Sequence, residues 1–94
     1  MAREIARTTA FKRDYKREKR GPRRKYLDEL LRKILVLLVE DSPLPAACRE
    51  HALTGNWSGF RDCHLKPDLV LIFARTDPAM LVLVRLGSRS ELFG

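Results

Sequence analysis

The chain is poor in the residues that build disulfide frameworks and metal sites. It has two cysteines, Cys48 and Cys63, and two histidines, His51 and His64. These four lack the repeated CxxC or HxxxH spacing that zinc sites use, and adjacent Cys63 and His64 would point to opposite sides of a strand. No metal and no cofactor is expected, and the cysteines read as a reduced pair. No glycine-rich phosphate loop and no GxSxG nucleophile elbow occurs, which excludes the common nucleotide-binding and serine-hydrolase signatures. Apolar runs such as Ile34–Val39 and Leu69–Ala74 are far short of the ~20 residues a membrane-spanning helix needs. No stretch reads as a secretory leader, so a cytoplasmic protein without a membrane partner is expected. The single tryptophan, Trp57, reads as a partly buried loop anchor.

What the chain has in excess is positive charge. Its 94 residues carry 19 Lys and Arg against 12 Asp and Glu, a net of +7. Residues 12–25, KRDYKREKRGPRRK, hold nine basic and two acidic groups, so this one stretch accounts for the whole surplus. A near-neutral domain over residues 1–94 thus carries one basic stripe: Lys12, Arg13, Lys16, Arg17, Lys19, Arg20, Arg23, Arg24 and Lys25. Such a stripe fits a polyanion or an acidic protein as partner.

Periodicity indicates an α+β domain. Residues 3–8 fit a short edge strand. Thr8 or Thr9 can cap a helix opening at Ala10, with Phe11 and Tyr15 on its buried face and Gly21-Pro22 ending it. A second helix is predicted from Lys25 to Glu40, where Leu27, Leu30, Leu31, Ile34, Leu35, Leu37 and Leu38 form a wide apolar stripe. Asp41-Ser42-Pro43 stops it, and Leu44–Gly59 reads as a loop. Strands are predicted at Phe60–Leu65, Leu69–Arg75 and Leu81–Leu86, joined by turns short enough to make antiparallel neighbours. The order is β-α-α-β-β-β, with the helical hairpin on one face of a twisted, mainly antiparallel sheet and the other face open.

Strand alternation singles out the stretch GFRDCHLKPD, residues 59–68. Phe60, Asp62 and His64 point one way, and Cys63 and Leu65 point toward the helices. A carboxylate and an imidazole then share the open face, with His51 and Asp68 at the two ends of the strand and Arg85 and Arg89 approaching from the last strand. Such Asp-x-His pairs are more often surface ion pairs than catalytic ones. Acid–base groups beside arginines are also what RNA cleavage by 2′-OH attack uses, and that chemistry needs no metal.

The segments RTTAFKRDYKR, PLPAACREHALTGNWSGFRDCHLKPDLVLIF and LVLVRLGSRSELF together resemble the YafQ family, toxins of bacterial type II toxin–antitoxin modules in the RelE/ParE superfamily. The resemblance covers nearly the whole chain. It implies a RelE-like fold and a ribosome-dependent endonuclease that cleaves mRNA in the ribosomal A site. The family's functional positions fall on His51, Asp62, His64, Asp68 and Phe93 without change. Arg85 matches an arginine expected to hold the scissile phosphate, and the basic helices would meet ribosomal RNA. An antitoxin with an acidic segment is the implied protein partner. Operator DNA would be reached only through that antitoxin.

The tail departs from the family. Its motif reads GSHSELF, with the histidine expected to act in proton transfer. Here it reads GSRSELF, and Arg89 stands in that place. A guanidinium, with a pKa above ~12, is a very poor proton donor at neutral pH but can stabilise a phosphate. Attenuated cleavage is therefore the expectation. A toxin-fold binding module that has lost cleavage is the alternative, and the acid–base cluster argues against a gyrase-directed relative.

Overall fold

The computed structural model describes residues 3–94. The chain runs through β1 (Glu4–Arg7), α1 (Thr9–Glu18), α2 (Leu27–Val39), β2 (His51–Ala52), β3 (Arg61–Lys66), β4 (Leu69–Asp77), β5 (Met80–Gly87) and α3 (Arg89–Phe93). Short 3₁₀ turns at Ala46–Cys48 and Gly55–Trp57 flank β2. The five strands form one sheet in the order β1-β5-β4-β3-β2. Among the described residues, only the β1–β5 pair is parallel. The α+β prediction stands, with helix and strand ends within a few residues of those expected.

Local chemistry explains the elements. Thr8 caps α1, its hydroxyl accepting from the Phe11 N–H at 2.9 Å. The leucine stripe of α2 is buried through Leu27, Leu31, Ile34 and Leu38. These meet Cys63, Leu65, Leu71, Phe73, Leu81, Leu83 and Leu86 to make the main core. Burying a Leu-sized side chain stabilises by about 1.5–3 kcal/mol, so this layer is the chief adhesive between hairpin and sheet.

Three features were not foreseen. First, the region expected to be a plain loop contributes β2, whose His51 pairs with Asp62 and Ala52 with Arg61. Second, the GSRSELF tail folds into α3, opened by a reciprocal capping box between Ser88 and Glu91. Third, the sheet face opposite the hairpin is not bare. Leu92 packs there on Val70 and Ile72, with Leu53, Trp57, Phe60 and Val84 around them.

The outer edge of β5 is completed by a helix rather than a strand. β1 pairs with it only as far as Leu83. Beyond that point the Thr8 hydroxyl donates to the Val84 carbonyl at 2.7 Å. The Leu86 N–H donates to Asp14 at 3.0 Å, and Arg17 donates to the Leu86 carbonyl at 2.8 Å. Side chains at the start of α1 and along it thus satisfy backbone groups that a longer β1 would otherwise take.

Candidate active site

The candidate residues come from β2, β3 and α3, with α3 packed through Leu92 on the sheet face away from the hairpin. Asp62 lies on β3 opposite Ile72, and His64 opposite Val70, so both project from the face that carries Val70 and Ile72. The predicted sorting of Asp62 and His64 away from Cys63 and Leu65 is what the structure has. The difference lies in burial: Asp62 is 0% exposed, because the loop aromatics and α3 cover the face.

Among the described residues, the basic side chain within ion-pair distance of Asp62 is that of His51. His51 Nδ1 lies 3.0 Å from its carboxylate, and the His51 side chain is 53% exposed. The same Nδ1 lies 3.0 Å from the Arg49 carbonyl. A carbonyl can only accept, so Nδ1 carries a hydrogen and directs it there. In the neutral ring, Nε2 is then the atom with the free lone pair. Neither Asp62 oxygen has a hydrogen-bond partner among the described residues. A carboxylate removed from water and left without hydrogen bonds costs several kcal/mol. Arg49 itself sits in the left-handed region at φ 48°, a conformation that costs a non-glycine residue about 1–2 kcal/mol. Cost concentrated on two residues that both contact His51 is a mark of a functional site.

An aromatic wall stands on the same sheet face. Trp57 meets Phe60 edge-on at 5.7 Å and Phe93 edge-on at 5.8 Å. The Arg89 guanidinium lies 5.4 Å from the centre of the Phe93 ring, a cation–π contact that restrains it. Leu92 anchors α3 so that Arg89 and Phe93 stay at the surface. Trp57 is partly buried, as an anchor should be.

Two predicted site residues have structural partners. Arg85 Nε and Nη2 donate to the two oxygens of Asp14 at 2.7 and 3.2 Å. Asp68, in the turn between β3 and β4, accepts from Arg23 at 2.8 Å. Arg23 also pairs with Glu18, and Arg17 bridges Asp14, Glu18 and Glu91. One ionic network therefore links α1, the helix turn, the β3–β4 turn, β5 and α3.

This network divides the basic stripe. Arg17 and Arg23 are tied into the fold, and Lys19 pairs with Asp28 at 2.9 Å. Lys12, Arg13, Lys16, Arg20, Arg24 and Lys25 are exposed and make no ion pair among the described residues. Sequence reasoning missed Asp14 and Glu18, both buried at 3% and 4% exposure. A signal was present: they are the only two acids in residues 12–25, and they share the Phe11 face at helical spacing. Burial opposes the ionised form of Asp14. Hydrogen bonds from Arg85 and the Leu86 N–H, with the charges of Arg85 and Arg17, outweigh it and hold the carboxyl below its ordinary range. Burial pushes the Cys63 thiol far up, which leaves it unreactive.

No group of three or more His, Cys, Asp or Glu side chains among the described residues is placed to hold a metal ion. A groove of about 820 Å³ lies between α1, α2 and β1, lined by Ile5, Phe11, Leu31, Leu35, Val36 and Val39, among others. None of the candidate catalytic residues lines it.

A family model for a bacterial toxin of type II toxin–antitoxin systems, YafQ, matches residues 3–94. The mRNA interferase toxin YafQ of Escherichia coli strain B / BL21-DE3 is 35% identical over 94 residues, covering 100% of this chain and 99% of that one. The toxin in the crystal structure of the E. coli DinJ–YafQ toxin–antitoxin complex superposes with a TM-score of 0.84 at 34% identity over all of both chains. A metal-bound toxin from Helicobacter pylori superposes with a TM-score of 0.83 at 36% identity, covering 99% of this chain and 100% of that one.

Proposed function

The chain belongs to the YafQ family of type II toxin–antitoxin toxins, and from that premise we propose that it is an mRNA interferase, cutting message in the ribosomal A site and held silent by an antitoxin. The observation that carries the reading is the His51–Asp62 contact at 3.0 Å, with Asp62 fully buried. His51 Nε2 is the general base that takes the proton of the 2′-OH, and the freed oxygen attacks the adjacent phosphate. The Arg49 carbonyl holds the ring in the tautomer that leaves Nε2 free, and the Asp62 carboxylate 3.0 Å away stabilises the imidazolium that forms when Nε2 takes the proton. This is the logic by which a buried acid serves a histidine base. Arg85 and Arg89 stabilise the charge that gathers on the phosphate oxygens. Phe93 and Trp57 hold a base against the aromatic wall.

The leaving 5′-oxygen needs a proton. Arg89 cannot supply it at neutral pH, because its guanidinium stays charged. His64, on the same sheet face as Asp62, is the remaining acid. A misplaced or missing general acid costs a factor of about 10²–10⁴, so slow cleavage is the expected phenotype. Primer extension on message bound to bacterial ribosomes tests this with Arg89→His. The variant should cut faster by that factor; an unchanged rate would remove the attenuation.

Arg89 also supports a second reading, in which the chain keeps the toxin surface and binds its antitoxin without cutting. A wild-type chain that forms the antitoxin complex but cleaves no message would favour it. The six exposed cations of α1 and the helix turn suit ribosomal RNA and an acidic antitoxin segment alike.

A further inference from the structure

We propose that Asp14 is a positioning residue for Arg85, aligning its guanidinium to grip the scissile phosphate by one defined edge. The inference rests on the reading of Arg85 as a phosphate clamp. Asp14 lies on α1, whose cationic surface otherwise points to a polyanion, and it is 3% exposed. Its two oxygens meet Arg85 Nε at 2.7 Å and Nη2 at 3.2 Å. A guanidinium has five N–H donors in a rigid fork. Asp14 occupies the side edge. The Nη1 pair and the second Nη2 hydrogen remain; one hydrogen from each Nη forms the end edge, which matches two phosphate oxygens.

Asp14 is itself held from two other directions. The Leu86 N–H donates to it at 3.0 Å, and Arg17 Nη1 donates at 3.0 Å. The first of these is a backbone bond from the residue next to Arg85, so the clamp is fixed to the strand that carries it. β5 is also irregular here. Ile72 pairs with Arg85 but Phe73 pairs with Leu83, which makes Val84 an extra residue. Leu83 and Leu86 both pack in the helix-side core, so Arg85 leaves the simple alternation. The bulge and the buried acid together determine where the guanidinium lies. Arg85 is 27% exposed, so its free edge is accessible.

A double-mutant cycle tests the link. Single-turnover cleavage of ribosome-bound message is measured for wild type, Asp14→Asn, Arg85→Ala and the double variant, each checked for cooperative melting. Asp14→Asn should lower the rate about 10- to 100-fold, the cost of a misaligned clamp. On the Arg85→Ala background it should change the rate less than about twofold. Losses that multiply independently would overturn the proposal. Asp14→Glu restores the charge and should recover part of the rate; no recovery counts against positioning. If wild type cuts nothing, the nuclease reading fails and the cycle is read by affinity for ribosomes carrying a 2′-O-methylated A-site codon. There Asp14→Asn should weaken binding only while Arg85 is present. An equal effect in both backgrounds, or none, overturns the proposal.

Discussion

Replacing Asp62 with asparagine should make the protein more stable and less active. The carboxylate is fully buried and neither oxygen has a hydrogen-bond partner among the described residues. Its desolvation costs several kcal/mol. The available counter-charge is His51, 3.0 Å away but 53% exposed. At that separation a fully charged pair is worth about 1–2 kcal/mol under water-like screening, which does not offset the desolvation. An amide in the same place still leaves polar atoms unpaired, at about 1–3 kcal/mol. The difference leaves a net gain of about 1–2 kcal/mol for Asp62→Asn. Urea unfolding at neutral pH reads it as a midpoint higher by about 0.5–1 M with an unchanged slope. Cleavage should fall at least about tenfold, because the imidazolium that forms on His51 loses the neighbouring negative charge that stabilises it. A more stable and slower variant is the pattern of a group kept for function. A lowered midpoint would refute the reasoning, since it would mean the carboxylate is well satisfied in the folded state.

Four further outcomes follow from the ionic network and the surface. At Gly87 a Cβ would lie 2.7 Å from Arg17 Nη2 and 3.1 Å from Glu91 Oε1; Gly87→Ala should therefore dislodge Arg17 from Leu86 and cost about 1–2 kcal/mol in thermal unfolding. Asp14 titrates below its ordinary range when folded, so its contribution is full above the unfolded value of about 4 and is lost as pH falls below it; Asp14→Asn should lack that component of acid unfolding. Changing Lys12, Arg13, Lys16 and Arg20 to glutamine should flatten the salt dependence of ribosome binding by about one unit of log–log slope for each phosphate no longer neutralised, with melting unchanged, whereas Arg23→Gln should lower the melting temperature because Arg23 ties Glu18 to Asp68.

Much of the architecture is visible in local pattern. The α2 leucines repeat at helical spacing, and period-two alternation alone sorts Asp62 and His64 from Cys63 and Leu65. What escaped depends on contacts between distant segments. β2 is two residues long, too short to carry any periodicity, and exists because His51 and Ala52 find partners on β3. The parallel pairing of β1 with β5 joins strands from opposite ends of the sequence. Burial of Asp62 follows from Trp57, Phe60 and Leu92 closing over the face, which no strand pattern records. Asp14 and Glu18 are the two acids within the basic stretch of residues 12–25. Their role appears only when Arg85, Arg17 and Arg23 are seen to converge on them.

The central claim is that His51 is the base of an RNA-cleaving site. Single-turnover cleavage of a defined message on bacterial ribosomes, comparing this chain with His51→Gln, tests it most directly. Removing a general base should slow cleavage by about 10²–10⁴ while ribosome affinity stays within about twofold. Cleavage at the wild-type rate by His51→Gln, or none by either chain on any message, would contradict it.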